Sequence, residues 1–202
     1  MSKRVYISAD YDGNNGDRNV VDVLNSWGRD NYHVVDFVDM SQVARGTVAK
    51  DPDCRICDLK REFNQQINAS SAVIFVVGDK TADRTAGSGC NRTGAAQYLC
   101  SCTPYKRNVN GSKPCRVSVT YEVGPDDDVG CINSYSYLRH EFEQAQKRNR
   151  NIIIVYNSIR YESNWLPPYM NGYEQHAFPF WYVNAYGQRV GNYQRIKEVL
   201  GF

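Results

Sequence analysis

One glutamate stands out as a residue that could do chemistry. Glu141 lies in a stretch, residues 137–148, whose apolar side chains recur at the period of a helix: Leu138, Phe142 and Ala145. At 100° per residue, Glu141 falls on the flank of this apolar stripe and not on its far side. A carboxylate on the flank can be half-desolvated and can face a cleft, where it stabilises positive charge on a substrate. The alternative is an ordinary surface glutamate paired with Lys or Arg. His140, next to it, points about 100° away and is expected to be exposed.

A second set of candidate residues follows the ends of two apolar stretches. These residues are Ser8, Asp10 and Tyr11 in the first case and Asp39 and Ser41 in the second. Open α/β sheets bind ligands at the carboxyl ends of their strands, so these side chains are candidate substrate contacts. Tyr11 could stack on a base. The alternative is that the Asp and Ser residues cap helices or form turns, and that Ser8 simply ends a strand.

Strands alternate with helices in the segments that position these residues. Apolar runs predict strands at residues 3–8, 32–38, 72–77, 152–155 and 180–183. Helical stripes predict helices that begin near Asp17 and that span residues 53–67, 137–148 and 192–200. The connections are long enough for right-handed crossovers. The pattern therefore predicts an α/β fold with a mainly parallel, flavodoxin-like sheet flanked by helices.

The length of 202 residues indicates a single domain, residues 1–202, with an insertion. The strand–helix alternation lapses between residues 79 and 136, which contain many glycines and five of the seven cysteines. We interpret this segment as a cysteine-rich, loop-rich insertion before the glutamate helix, with one short hairpin at residues 116–123. Residues 157–202 form an aromatic-rich C-terminal extension.

The cysteines raise the question of a metal. The chain has seven cysteines, and we expect it in a reducing compartment. In such a compartment, cysteines are free or bind metal more often than they form disulfides. Cys54 and Cys57 have the spacing of a zinc knuckle but lack a second close pair. A structural zinc site in the insertion is an alternative that the sequence leaves open. The spacing of the five cysteines there matches no standard zinc knuckle: Cys90, Cys100, Cys102, Cys115 and Cys131. The sequence predicts no catalytic metal and no cofactor.

The composition argues against several classes of partner. With 24 Lys and Arg against 22 Asp and Glu, the net charge of +2 favours neither nucleic acid nor an anionic membrane surface. No apolar run approaches the length of a membrane span, and the first residues lead into a strand and not into an apolar signal segment. We therefore expect a cytoplasmic protein.

The order of motifs along the chain resembles that of the TIR-like (Toll/interleukin receptor) family, in the branch that includes the ThsB subunits of Thoeris antiphage defence. The resemblance covers residues 3–81 and 136–157, roughly half of the chain. It lies in these motifs: Val5–Ser8, Asp10–Asp12, Trp27, Asp36–Ser41, Ile74–Thr81, Arg139–Phe142 and Ile152–Val155.

The resemblance implies a flavodoxin-like fold with a cleft at the carboxyl ends of the parallel strands. Catalytic members of the family cleave the nicotinamide–ribose bond of NAD, and ThsB proteins use an ADP-ribose-derived product as a signal that activates an effector protein. By motif position, Glu141 corresponds to the family's catalytic glutamate. Ser8 and Asp10 fall in the first strand–helix loop, and Asp39 and Ser41 fall in the second. The expanded insertion and Ala9-Asp10 depart from the family pattern at the cleft mouth.

This chemistry needs a carboxylate near the ribose. Breaking the bond passes through an oxocarbenium-like state, and nicotinamide, already cationic in NAD, leaves without an acid. Two alternatives to an enzyme that consumes NAD remain open. One is a non-catalytic TIR-like adaptor that works through protein contacts of its aromatic C-terminal third, including self-association. The other is a sensor that binds a nucleotide in the same cleft without turnover.

Overall fold

The computed structural model describes residues 3–11, 16–30, 35–40, 52–84, 99–100, 107–108, 111–114 and 136–202. The strands are β1 (Lys3–Ser8), β2 (Val35–Asp39), β3 (Ala72–Val77), β4 (Leu99–Cys100), β5 (Arg107–Asn108), β6 (Gly111–Pro114), β7 (Asn151–Tyr156), β8 (Ala177–Pro179), β9 (Trp181–Val183) and β10 (Arg189–Gly191). The helices are α1 (Arg18–Arg29), α2 (Pro52–Asn68), α3 (Tyr137–Lys147) and α4 (Tyr193–Leu200).

Five parallel strands form the central sheet, in the order β2-β1-β3-β7-β8. Numbered along the sheet-forming strands alone, this is the flavodoxin-like order 2-1-3-4-5. The chain steps to one side of β1 to form β2 and to the other side to form β3. The topological switch point therefore lies between β1 and β3. The prediction of a flavodoxin-like α/β fold is confirmed.

Two apolar layers cover the sheet, one on each face. Successive side chains of a strand point to opposite faces, so Val5 and Ile7 of β1 enter one layer and Tyr6 enters the other. Buried residues of α1 and α4 complete the first layer, and those of α2 and α3 complete the second. The central strand β3 is buried along its whole length, which explains its unbroken run of apolar residues.

The glutamate helix α3 packs on the sheet as its apolar stripe predicts. Ser136 caps its N-terminus by accepting a hydrogen bond from the backbone N–H of Arg139, at 3.0 Å. Leu138, Phe142 and Ala145 are all buried. Because α3 precedes the parallel strand β7 and returns along the sheet, its first turns lie near the carboxyl ends of the strands.

The last predicted strand, at residues 180–183, is present as β9 (Trp181–Val183), but it lies outside the central sheet. The fifth strand of that sheet is β8, which was not predicted. The chain leaves the sheet at Phe180, which is completely buried, and β9 pairs with β10 in a separate antiparallel hairpin. The aromatic run reflects burial of Phe180 and Trp181 against α1 and not a strand of the main sheet.

The end of the second strand also differs from the prediction. β2 ends at Asp39, one residue beyond the predicted end, and Asp39 pairs with Ile7 of β1. Asp39 is therefore a completely buried strand residue and does not lie in the following loop.

Most of the predicted insertion, including the hairpin at residues 116–123, lies outside the described residues. Within it, β4, β6 and β5 form a short antiparallel sheet in that order. The side chains of the seven cysteines also lie outside the described part, so the zinc prediction stays a prediction. In the described ranges, no helix combines the length and apolar character needed to cross a membrane.

Candidate functional site

Glu141 is buried against the carboxyl end of β1. Its side chain is 2% exposed, and both of its oxygens accept hydrogen bonds. The Tyr6 hydroxyl donates to one oxygen at 2.7 Å, and the Ser8 hydroxyl donates to the other. Tyr6 and Ser8 are two residues apart on β1 and so face the same side of the sheet. The alternative of an exposed surface glutamate is therefore wrong.

Burial raises the pKa of Glu141 from its ordinary value of 4.5 to about 7, because the charged form loses its hydration. The hydrogen bonds from Ser8 and Tyr6 and the positive charge of Lys60 favour the ionised form, but their combined effect is smaller. The carboxyl group is thus close to half ionised near neutral pH, a property common among functional carboxylates. Burial and the charge of Glu141 raise the pKa of Tyr6 well above 10, so Tyr6 remains a phenol that donates.

His140 is buried, which corrects the prediction that it is exposed. It is 5% exposed, and its Nε2 lies 2.8 Å from Asn64 Oδ1 and 3.2 Å from the Lys60 carbonyl oxygen. Since a carbonyl oxygen only accepts, Nε2 carries the ring proton. Burial and the nearby charge of Lys60 lower the pKa of His140 from 6.5 to about 3. The prediction failed because α2 packs beside α3 and covers a flank that the helical period leaves open.

Lys60 is a completely buried charged residue of α2 that sequence reasoning missed. Its charge lowers the pKa of both Glu141 and His140, so it acts electrostatically on the neighbouring helix. A helical lysine is ordinarily solvated, and no local pattern marks this one as buried. The one available signal is that Lys60 follows Leu59, a member of the apolar stripe of α2.

Asp39 and Tyr11 lie at the neighbouring strand ends. Asn25 of α1 donates a hydrogen bond to the buried carboxylate of Asp39. The Tyr11 hydroxyl donates to the Ile7 carbonyl oxygen at 2.9 Å, and its ring packs against the core on the α1 face of the sheet. Burial, followed by the charges of Glu141 and Asp39, raises the pKa of Tyr11 well above 10. Tyr11 is thus anchored to the end of β1 and is half-buried.

Asp10 forms an ion pair with Arg84 that joins two loops. Asp10 Oδ2 lies 2.6 Å from Arg84 Nε. Asp10 follows β1, and Arg84 follows the short 3-10 turn Thr81–Asp83 after β3. The pair therefore crosses the switch point of the sheet.

Asp17 is a third buried acid at the same edge, after Glu141 and Asp39. It occupies the N-cap position of α1, as the sequence predicts, but its side chain forms no capping hydrogen bond. Asn157 donates to Asp17 Oδ1 at 2.9 Å, and a Cβ added to Gly78 would lie 2.5 Å from the same oxygen. Burial raises the pKa of Asp17 from 3.8 to about 6. Asp17 thus ties the start of α1 to the ends of β3 and β7.

The structure therefore brings Glu141 and Ser8 into direct contact on the face of the sheet that α2 and α3 cover. Asp39 and Tyr11 lie at the same strand ends but on the face that α1 covers. Asp10 lies two residues beyond Ser8 but faces Arg84, and Ser41 lies outside the described residues. Sequence reasoning missed several polar neighbours: Tyr6, Asn25, Lys60 and Arg84. Tyr6 could have been predicted from the sequence, because a residue two positions before Ser8 on a strand lies on the same face of the sheet. Among the described side chains, no group of three or more His, Cys, Asp or Glu residues could hold a metal ion.

Comparisons with known proteins show little beyond this. No protein-family model and no curated protein matches the chain. A crystal structure of a prokaryotic SEFIR domain is similar at 13% identity, with 98% of this chain and 94% of that chain covered and a TM-score of 0.42. So distant a likeness carries no argument about residue roles, and the fold assignment rests on the strand order of the sheet.

Proposed function

We propose that the protein is a TIR-like enzyme that cleaves the nicotinamide–ribose bond of NAD, with Glu141 as its catalytic carboxylate. The observation that supports this most directly is a buried carboxyl group with a pKa of about 7, held by Tyr6 and Ser8 at the carboxyl end of β1. Open α/β sheets bind their ligands at this edge. The order of motifs in the sequence supports the same role for Glu141.

In the proposed reaction, nicotinamide leaves as a neutral molecule and positive charge develops on ribose C1′ and the ring oxygen. The ionised carboxylate of Glu141 stabilises this charge and accepts hydrogen bonds from the ribose hydroxyl groups. A buried carboxylate does this more strongly than one in water, because the surroundings screen it less. Water that adds at C1′ and loses a proton gives ADP-ribose, whereas attack by a group of the same molecule gives a cyclic isomer.

The remaining predicted residues belong to the same proposal. Ser8 orients Glu141, and the strand ends that carry Asp10, Tyr11, Asp39 and Ser41 border the substrate. NAD is the substrate and no further cofactor takes part. The product, derived from ADP-ribose, activates an effector protein in antiphage defence.

The direct test measures nicotinamide release from NAD by the wild-type protein and by Glu141→Gln. The substitution keeps the shape and removes the charge, so turnover should fall by about 10²- to 10³-fold, as for the loss of one electrostatic stabiliser. Because the ionised form is the active one, wild-type turnover should rise with pH to a plateau above the Glu141 pKa of about 7.

A matched control exists on the same helix. Glu143 is 39% exposed and pairs with Arg139 at 2.7 Å, so Glu143→Gln should leave turnover unchanged. Equal nicotinamide release by the wild type and Glu141→Gln would refute the proposal. So would wild-type protein that releases no nicotinamide, both when purified and when expressed in phage-infected cells.

A further inference from the structure

We infer that Arg84 recognises the phosphates of the ligand, and that the Asp10 carboxylate occupies the Arg84 guanidinium while no phosphate is bound. The inference rests on the proposed function for the identity of the ligand, a nucleotide that carries a pyrophosphate. In this inference, the Asp10 carboxylate takes the place of the ligand's phosphate on Arg84, and Asp10 does not contact the substrate directly.

The position of the pair is the first argument. The 2.6 Å contact between Asp10 Oδ2 and Arg84 Nε joins the loop after β1 to the segment after β3. β1 and β3 are neighbours in the sheet, and the chain reverses its stepping direction between them. Sheets of this order bind phosphate-bearing ligands in the crevice at such a point.

The backbone on each side of the pair is fixed by hydrogen bonds. Thr81, 3% exposed, accepts a side-chain hydrogen bond from the Gly78 N–H at 2.8 Å, which holds the turn that leads to Arg84. On the other side, the Asp17 N–H donates to the Asp10 carbonyl oxygen at 2.7 Å. Two anchored segments thus present one cation and one anion to each other, so the guanidinium is already oriented.

The exposure and chemistry of the pair allow exchange. The Arg84 side chain is 39% exposed and that of Asp10 is 17% exposed, while Arg84 Nε itself is buried, so a solute reaches the outer part of the Arg84 side chain. An ion pair at the rim of the fold costs less to replace than a fully buried one. The planar guanidinium binds carboxylate and phosphate oxygens in the same geometry, and a phosphate offers it more charge.

The same strand end also carries the group proposed to hold the ribose. Ser8 contacts Glu141, and Asp10, two residues later, contacts Arg84. A nucleotide that places its ribose at Glu141 therefore has a cation for its phosphates at the next loop position.

The test measures binding without turnover. In protein that carries Glu141→Gln, calorimetry with ADP-ribose and with inorganic pyrophosphate gives the two affinities. Adding Arg84→Gln should weaken both by about tenfold or more, the effect of one charged hydrogen-bonding partner. Adding Asp10→Asn should strengthen both by roughly two- to fivefold, because the guanidinium no longer has a competing carboxylate.

Arg139→Gln is the matched control, since Arg139 is 40% exposed and pairs with a carboxylate at 2.7 Å on α3. It should change neither affinity. Unchanged binding in Arg84→Gln, weaker binding in Asp10→Asn, or no binding of either compound by the parent would each overturn the inference. Binding that depends on Arg84 in a protein whose wild type releases no nicotinamide would support the inference and refute the proposed enzyme activity.

Discussion

The burial of Glu141 makes a prediction about stability that does not depend on any substrate. The pKa of Glu141 is about 7 in the folded protein, against 4.5 for an exposed glutamate. Between these values the folded state holds a proton that the unfolded chain has released. Stability that is fully present below pH 4.5 is therefore lost as the pH rises through the folded pKa of about 7. Glu141→Gln removes this titration and should remove the loss.

The size of the effect follows from the two pKa values. Integration over proton binding between pH 5 and pH 8 gives a loss of about 2.5 kcal/mol in the free energy of unfolding of the wild type from this one group. For a chain of this size, that corresponds to a fall in Tm of roughly 5–10 °C. Any hydrogen bond that Gln makes differently with Tyr6 or Ser8 is the same at both pH values and cancels in the comparison.

Other buried groups titrate in the same range and make the comparison with a variant necessary. The pKa of His140 is lowered to about 3, so its contribution runs the opposite way and is lost as the pH falls through 6.5. Asp17, with its pKa raised to about 6, acts in the same direction as Glu141. The pH profile of the wild type is therefore a sum, and only the difference between wild type and Glu141→Gln isolates Glu141.

The assay is urea unfolding of the wild type, Glu141→Gln and Glu143→Gln at about pH 5 and about pH 8. The stability difference between the wild type and Glu141→Gln should change by about 2.5 kcal/mol across this range. The exposed Glu143→Gln should run parallel to the wild type. Parallel profiles for the wild type and Glu141→Gln, within about 0.5 kcal/mol, would show that Glu141 titrates like a solvated glutamate. That result would refute both its burial and the argument for its role.

Two further predictions concern the packing around the site. Between pH 7 and pH 5, the difference in unfolding free energy between the wild type and His140→Gln should shift by about 2 kcal/mol in favour of the variant, measured by urea unfolding, because the variant lacks the cost of keeping His140 neutral; a difference that is the same at both pH values would contradict a buried, neutral His140. Gly191→Ala should cost about 1–3 kcal/mol, because a Cβ there would lie 2.8 Å from the ring of Trp27. The smaller ring in Trp27→Phe should recover part of the loss in the double variant, and additive losses in thermal melts would argue against this clash.

Local sequence patterns were sufficient to predict most of the helices and strands of the scaffold. The run at β3 predicts a strand covered on both faces, and the stripe Leu138, Phe142 and Ala145 sets which side of α3 packs on the sheet. The same period puts Glu141 on the flank of that stripe, which is why it could be chosen as a candidate functional residue. Trp27 is half-buried and packs against the core, with its ring centroid 5.6 Å from that of Phe180 and 4.7 Å from that of Tyr193.

The alternation of strands and helices, the inward stripe of α3 and the flank position of Glu141 can all be read from the sequence, because each depends on residues within one or two turns of each other. The burial of Lys60, the cover that α2 gives His140 and the contact of Asp10 with Arg84 between neighbouring strand ends appear only in the folded protein. These contacts join elements far apart in the chain. Their geometry depends on strand order and helix packing, which no local period encodes.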